Sequence, residues 1–369
     1  FGGDGMDALL HPTDSDIIFG SSQYGRILYS LNGGNTYIQM NKPNEEDGEW
    51  VTPFMYKPGA TDLVYAGFGN LYNAYPGDDF QNAMSNFDYM SGANVPAPIS
   101  NFNVSESDQS TIYVAKRVYY SYNQLSEFWM TENEGGSWSN KTEGLPDSLY
   151  FTHVEIDDDN PLSVWVAVAG FESGKHVYHS LDGGDNWTNI TYDLPNLPVN
   201  CILHYDNSLY NTVYVATDIG VYYSNDTLFS WLPYNLNLPN VIVSDLEINY
   251  SENKIYAATF GRGVWKTDVL PDSFNNNAAI DELDDLMDLN IELSPNPNDG
   301  NFSLSIHGFE HNTLGLDIVD VMGSVIHSKE LHMTNAGIKT LLEYDLPDGM
   351  YFLKISEGNQ MRVIRFIVN

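Results

Sequence analysis

The chain has 369 residues, enough for two or three domains, and its 13% aromatic content, 25 tyrosines and 30 glycines favour strands joined by tight turns. Its 50 acids against 15 bases give a net charge of −35, which repels phosphate and excludes nucleic acid and acidic membrane surfaces as partners. No apolar run of about 18 residues marks a transmembrane segment. The single cysteine, Cys201 in VNCILHY, excludes a disulfide framework or a thiolate cluster and reads as a buried small hydrophobe.

From the N-terminus, pairs of short strands recur. IIFGSS, TIYVA, VWVAVA and TVYVAT are each followed by a second aromatic strand, ILYS, FWMT, VYHS or VYYS. DLVYAGFGNLY and KIYAATFGRGVWKT keep the same strand pair. The units start near Ile17, Leu63, Ile112, Val164, Val213 and Ile255, a period of roughly 42–52 residues, the range of propeller blades. Alternating apolar and polar positions with glycine or asparagine at the turns predict four short strands per unit and no amphipathic helix.

Four units carry a box, Ser/Thr-x-Asp/Asn-x-Gly-x-x-aromatic, after the second strand. The copies are SLNGGNTY (Ser30, Asn32, Gly34, Tyr37) and TENEGGSW (Thr131, Asn133, Gly135, Trp138). SLDGGDNW (Ser180, Asp182, Gly184, Trp187) and SNDTLFSW (Ser224, Asp226, Trp231, with Leu228 in the glycine's place) complete the set. The acid accepts backbone N–H bonds across the turn, the glycines supply positive φ, and the aromatic lies between blades. Asn32 and Asn133 replace the aspartate, which a hydrogen-bond acceptor tolerates and a metal ligand or general base does not, so the boxes read as structural.

Residues 1–268 on these motifs resemble the Asp-box (BNR) β-propellers, the group of sialidases, xyloglucan-cleaving hydrolases and sortilin-like receptors. The expected domain is residues 1–269, about six repeat units. The last unit ends before a fourth strand and only FGGDG precedes the first, so ring closure calls for residues upstream of Phe1.

Residues 270–288, LPDSFNNNAAIDELDDLMD, are rich in Asn and acids and read as a solvated linker. About seven alternating strands then fill residues 289–369, predicting a small Ig-like antiparallel β-sandwich. This segment resembles the type A C-terminal sorting domain of the type IX secretion system of Bacteroidetes-like bacteria. The matching positions are Pro295, Asn296, Pro297, Gly300 and Phe302, then Gly323, then Leu346, Gly349 and Tyr351, and Arg365 near the end. The resemblance implies an export address handled by the outer-membrane translocon and its shuttle, with cleavage in the linker and release of the cargo or its attachment to surface lipopolysaccharide. The expected location is secreted or cell-surface.

Candidate chemistry is sparse. A sialidase needs an arginine triad for its substrate's carboxylate, and the propeller offers Arg26, Arg117 and Arg262, all in strand-connecting loops that line one face. A glucan hydrolase needs two carboxylates flanking a cleft, for which Asp4 in GGDG and Asp218 in ATDIG are candidates that turn chemistry explains equally. DDDN, residues 157–160, offers oxygens to calcium but lacks the alternating spacing and glycine of an EF-hand-like loop; no other cofactor is predicted. The histidines show no HxH or HExxH spacing, so no metal site is assigned; His153 and His204 lie on first strands, facing the channel or packing. The leading expectation is a non-enzymatic binding protein whose propeller loops meet a glycan or protein. The alternatives are a glycoside hydrolase with part of its site upstream of Phe1 and a structural surface or filament component.

Overall fold

The computed structural model describes residues 4–43, 46–60, 62–83, 97–117, 125–226, 228, 230–235 and 237–270. It also describes residues 290–368, apart from 295–297, 299, 308–312, 321–324, 333–337, 348 and 358–359. Residues 271–288 of the acidic linker thus lie outside the described residues, as do Pro295, Asn296, Pro297 and Gly323. The architecture is all-β, and the one helical piece among the described residues is the 3-10 turn Gln23–Gly25. Two compact units divide the chain, residues 1–269 and 270–369.

The first unit contains six antiparallel meanders, each a blade. Five have four strands in chain order and the sixth, Val243–Asn249, Lys254–Thr259 and Gly263–Asp268, has three. The fourth blade is typical: Phe151–Ile156 pairs with Val164–Val168, which pairs with Val177–Ser180, which pairs with Thr188–Asn189. Burial differs by position within the blade. Every residue of the second strands Ile112–Lys116, Val164–Val168 and Thr212–Thr217 is buried, because a neighbouring blade covers each face. The first strands alternate, as in Phe151–Ile156, with one face turned inward. The fourth strands Ser139–Asn140 and Thr188–Asn189 are two residues long and exposed.

Between blades the core is continuous. Tyr113, Phe128 and Met130 of the third blade pack with Val154, Val164, Val166 and Tyr178 of the fourth, and Trp165 and Val177 pack with Ile202, Val213 and Val215 of the fifth. Buried aromatic and β-branched surface of this kind is the main term holding adjacent blades together.

The second unit is a sandwich of two antiparallel sheets. One contains Asn290–Ser294, Asn301–His307 and Ile338–Glu343; the other contains Val325–His332, Thr313–Asp320, Gly349–Glu357 and Gln360–Val368. Alternate residues Phe302, Leu304 and Ile306 face Leu314, Leu316, Ile318, Leu353 and Ile355 in one core. Phe302 meets Phe366 with ring centroids 4.9 Å apart. Gly300 has φ +88°, and a Cβ there would stand 2.2 Å from the Tyr344 carbonyl oxygen, so this turn requires glycine.

Candidate ligand-binding cleft

The turns after the third strands set the geometry of the outer propeller. In the fourth blade Ser180 Oγ donates to Asp182 Oδ1 at 2.8 Å and accepts Gly184 N at 2.8 Å. Asp182 Oδ1 also accepts Asn186 N at 2.8 Å, and Asp182 Oδ2 accepts Asn186 Nδ2 at 2.7 Å. These bonds from Asn186 and Ser180 hold the Asp182 carboxyl down at about 2. Asn32 and Asn133 keep the backbone contact without charge: Thr36 N reaches Asn32 Oδ1 at 2.9 Å, and Ser137 N reaches Asn133 Oδ1 at 2.8 Å. Their Nδ2 groups donate instead to Thr36 Oγ1 and Ser137 Oγ. Gly183 and Gly184 take φ +70° and +89°; Glu134 replaces the first glycine in the third blade at φ +52°. In the fourth and fifth blades the closing tryptophan reaches back one blade, Trp187 Nε1 to Lys141 O at 2.9 Å and Trp231 Nε1 to Ile190 O at 2.8 Å.

The fifth blade departs from this pattern. Ser224 Oγ donates to Ser230 O at 3.0 Å, and the Asp226 carboxylate accepts Asn211 Nδ2. Between this divergent turn and the regular one before it lies a cleft of about 350 Å³. That size falls within the range of small-molecule sites. Leu181, Ile190, Tyr192 and Leu228 supply apolar wall; Asp182, Asn186, Asn211 and Asp226 supply polar atoms; Trp165, His179 and Trp231 complete it. Tyr192 stands 43% exposed with φ +43°, a left-handed conformation that a bulky residue seldom takes. The Trp165 ring is stacked between His179 at 4.2 Å and His204 at 4.7 Å. Burial, aided by His204, lowers the His179 imidazole to about 4, so that ring is neutral at neutral pH.

The residues singled out in the sequence fall in several places. Asp4 is exposed and accepts Gln23 Nε2 at 2.6 Å, whereas Asp218 accepts Asn200 Nδ2 at 3.1 Å. No hydrogen bond joins the two among the described residues. Arg26 Nε donates to Gln39 Oε1 at 2.9 Å within its own blade. Arg117 grips both oxygens of the buried Glu49, at 2.8 and 3.2 Å, and lies 5.9 Å over the Tyr150 ring. Arg262 is exposed, and its carbonyl accepts Trp265 Nε1 at 3.1 Å. Each arginine is thus placed in its own local setting.

His153 is held neutral by burial, with its imidazole lowered. Cys201 is buried 3.5 Å from Asp245 Oδ1, and burial together with that carboxylate pushes its thiol well up, so it is no thiolate nucleophile. His204 Nδ1 lies 3.0 Å from Asp206 Oδ1. Asp157 Oδ1 accepts the N–H groups of Asp159 and Asn160, an Asx turn, and Asp157, His204 and Asp206 each bring one donor atom within 4.8 Å of the others. The imidazole among them is foreign to an all-oxygen calcium shell.

Asp158 and Asp206 are neighbouring carboxyls divided in proton affinity. Burial and Asp206 push Asp158 up, while hydrogen bonds from His204 and Tyr250 outweigh burial and hold Asp206 down. Asp206 Oδ1 also accepts the backbone N–H of Asp158 at 3.1 Å, which ties the two residues together. The cleft, in contrast, gathers Asp182, Ser224, Asp226 and Trp231, which the sequence marks as turn formers, with Tyr192, Asn186 and Asn211, which it leaves unmarked. The failed glycine at Leu228 marks in the sequence where the repeat loses its regular turn, but it does not point to these three residues.

Residues 292–369 match the secretion system C-terminal sorting domain family. That tail directs the chain through type IX secretion to the cell surface or extracellular space. In the described residues no helix is long and apolar enough to cross a membrane. No curated protein matches the chain. Among solved structures, the GH74 xyloglucanase from Xanthomonas campestris aligns with TM-score 0.55 and 12% identity over 99% of this chain. A GH74 enzyme from Niastella koreensis aligns with TM-score 0.55 and 13% identity over 97%. An ancestral GH74 enzyme aligns with TM-score 0.53 and 13% identity over 90%. The chain spans 66%, 65% and 38% of those three in turn. At such identities the likeness is one of fold, a β-propeller architecture.

Proposed function

We propose that this protein is an exported binding protein, an Asp-box propeller that captures a glycan and is delivered by its C-terminal sorting domain. The observation that carries the reading is the cleft between the fourth and fifth blades, which joins aromatic and aliphatic wall to a small set of carboxylate and amide groups. A sugar ring offers an apolar face for the former and hydroxyls for the latter. The sorting domain supports the setting in which such a ligand is met, outside the cell. Domain limits follow the two compact units, with residues 1–269 as the propeller and the tail domain beyond the linker.

The test is retention of the purified chain on immobilised polysaccharides, with soluble polysaccharide as the eluting competitor. Specific retention that competitor abolishes supports the reading. Passage through every matrix, together with an unchanged melting temperature in each polysaccharide, removes it.

A further inference from the structure

Resting on the reading of the cleft as the glycan site, we infer that its ligand is a saccharide rich in hydroxyl or ammonium donors and free of anionic groups. The argument starts from what the wall has left to offer. Asn186 spends one of its two side-chain amide N–H groups and its backbone N–H on Asp182, at 2.7 and 2.8 Å. Asn211 spends one of its two amide N–H groups on Asp226, Ser224 its hydroxyl on Ser230 O, and Trp231 its indole N–H on Ile190 O. Beside the second N–H of each amide, what these groups present is mostly oxygen: carboxylate lone pairs on Asp182 and Asp226, and the amide oxygens of Asn186 and Asn211.

The charge balance points the same way. Asp182 and Asp226 give the cleft two carboxylates, and among the described residues no Lys or Arg lines it. His179, the one titratable base in the wall, is neutral at neutral pH because it is buried. A carboxylated or sulfated sugar brings acceptors to acceptors and negative charge to negative charge in a partly desolvated cleft, which costs on both counts. A neutral polyol, or an amino sugar with its ammonium, brings donors to those oxygens without adding negative charge. Tyr192 at the rim gives such a ring an aromatic partner.

The neutral and amino-sugar sources share this chemistry, and titration calorimetry on the full chain separates them. Three probes suffice: neutral β-glucan oligosaccharides, chitosan oligosaccharides and oligogalacturonate. Binding of either of the first two, with oligogalacturonate weaker by about tenfold or more, is the expected result. Tyr192→Ala should weaken that binding by about tenfold. Asp226→Lys, on an exposed turn, should weaken the chitosan oligosaccharide and admit oligogalacturonate; circular dichroism checks that both variants fold. Oligogalacturonate binding as tight as the others overturns the inference. So does binding untouched by both substitutions, which places the ligand elsewhere on the molecule. Failure of all three probes overturns this inference alone if the chain is still retained on a polysaccharide matrix, and the glycan reading with it if no matrix retains the chain.

Discussion

Lys116 ends the second strand of the third blade, 1% exposed, with its ammonium on the Gly69 carbonyl at 2.9 Å. Burial lowers it from the usual 10.5 to about 8, against the pull of Glu127 and Glu46. A lowered lysine is penalised in the folded state wherever both states are charged, so the cost is full below pH 8. It is relieved between pH 8 and 10.5, where the unfolded chain still binds the proton and the folded one does not. Lys116→Met should therefore lose about 3 kcal/mol of its stability relative to the parent between pH 7.5 and 10.5, read by urea unfolding at both pH values. Asp182 supplies a second residue-scale prediction. Asn32 and Asn133 hold the backbone N–H without charge, but Asp182 Oδ2 also accepts Asn186 Nδ2, so Asp182→Asn should lower the melting temperature slightly and Asp182→Ala more.

Among the elements, the strands were the most legible part of the sequence. IIFGSS and VWVAVA carry β-branched and aromatic residues in short runs, and the repeat fixes which run is which. The complete burial of Val164–Val168 was less legible, because a five-residue apolar run reads alike for a strand covered on one face or on both. The cleft was harder still. Leu228 announced a failed turn, but that the gap beside it is walled by Tyr192 and Asn211 depends on how two blades pack, which no local pattern encodes. The tryptophan ending each regular turn offers the element-scale test. Trp187 packs edge-on against Phe128 at 5.3 Å and bonds Lys141 O. Trp187→Ala should cost about 3 kcal/mol in urea unfolding, and Trp187→Phe, which keeps most of the area and loses the N–H bond, about 1 kcal/mol.

At the scale of the whole molecule, two compact units divide the work, the first carrying the cleft and the second the export address. Deleting residues 289–369 should leave the propeller inside the cell, and immunoblots of medium and surface fractions check it. Gly300→Ala should impair export similarly by destabilising the sandwich by at least ~2 kcal/mol, since its Cβ meets the Tyr344 carbonyl. Export unaffected by the deletion would sink the assignment of the address to the tail.

The backward reach of the two indoles has a directional consequence. Trp187 closes the fourth blade by holding a carbonyl of the third, and Trp231 closes the fifth by holding one of the fourth. Each of these fasteners sits on the later-made partner, so a blade emerging from the ribosome waits for its successor before it is fully secured. Assembly then advances with synthesis, and loosening should begin at the younger end, where a protease nick in the fifth blade frees the fourth before it disturbs the third.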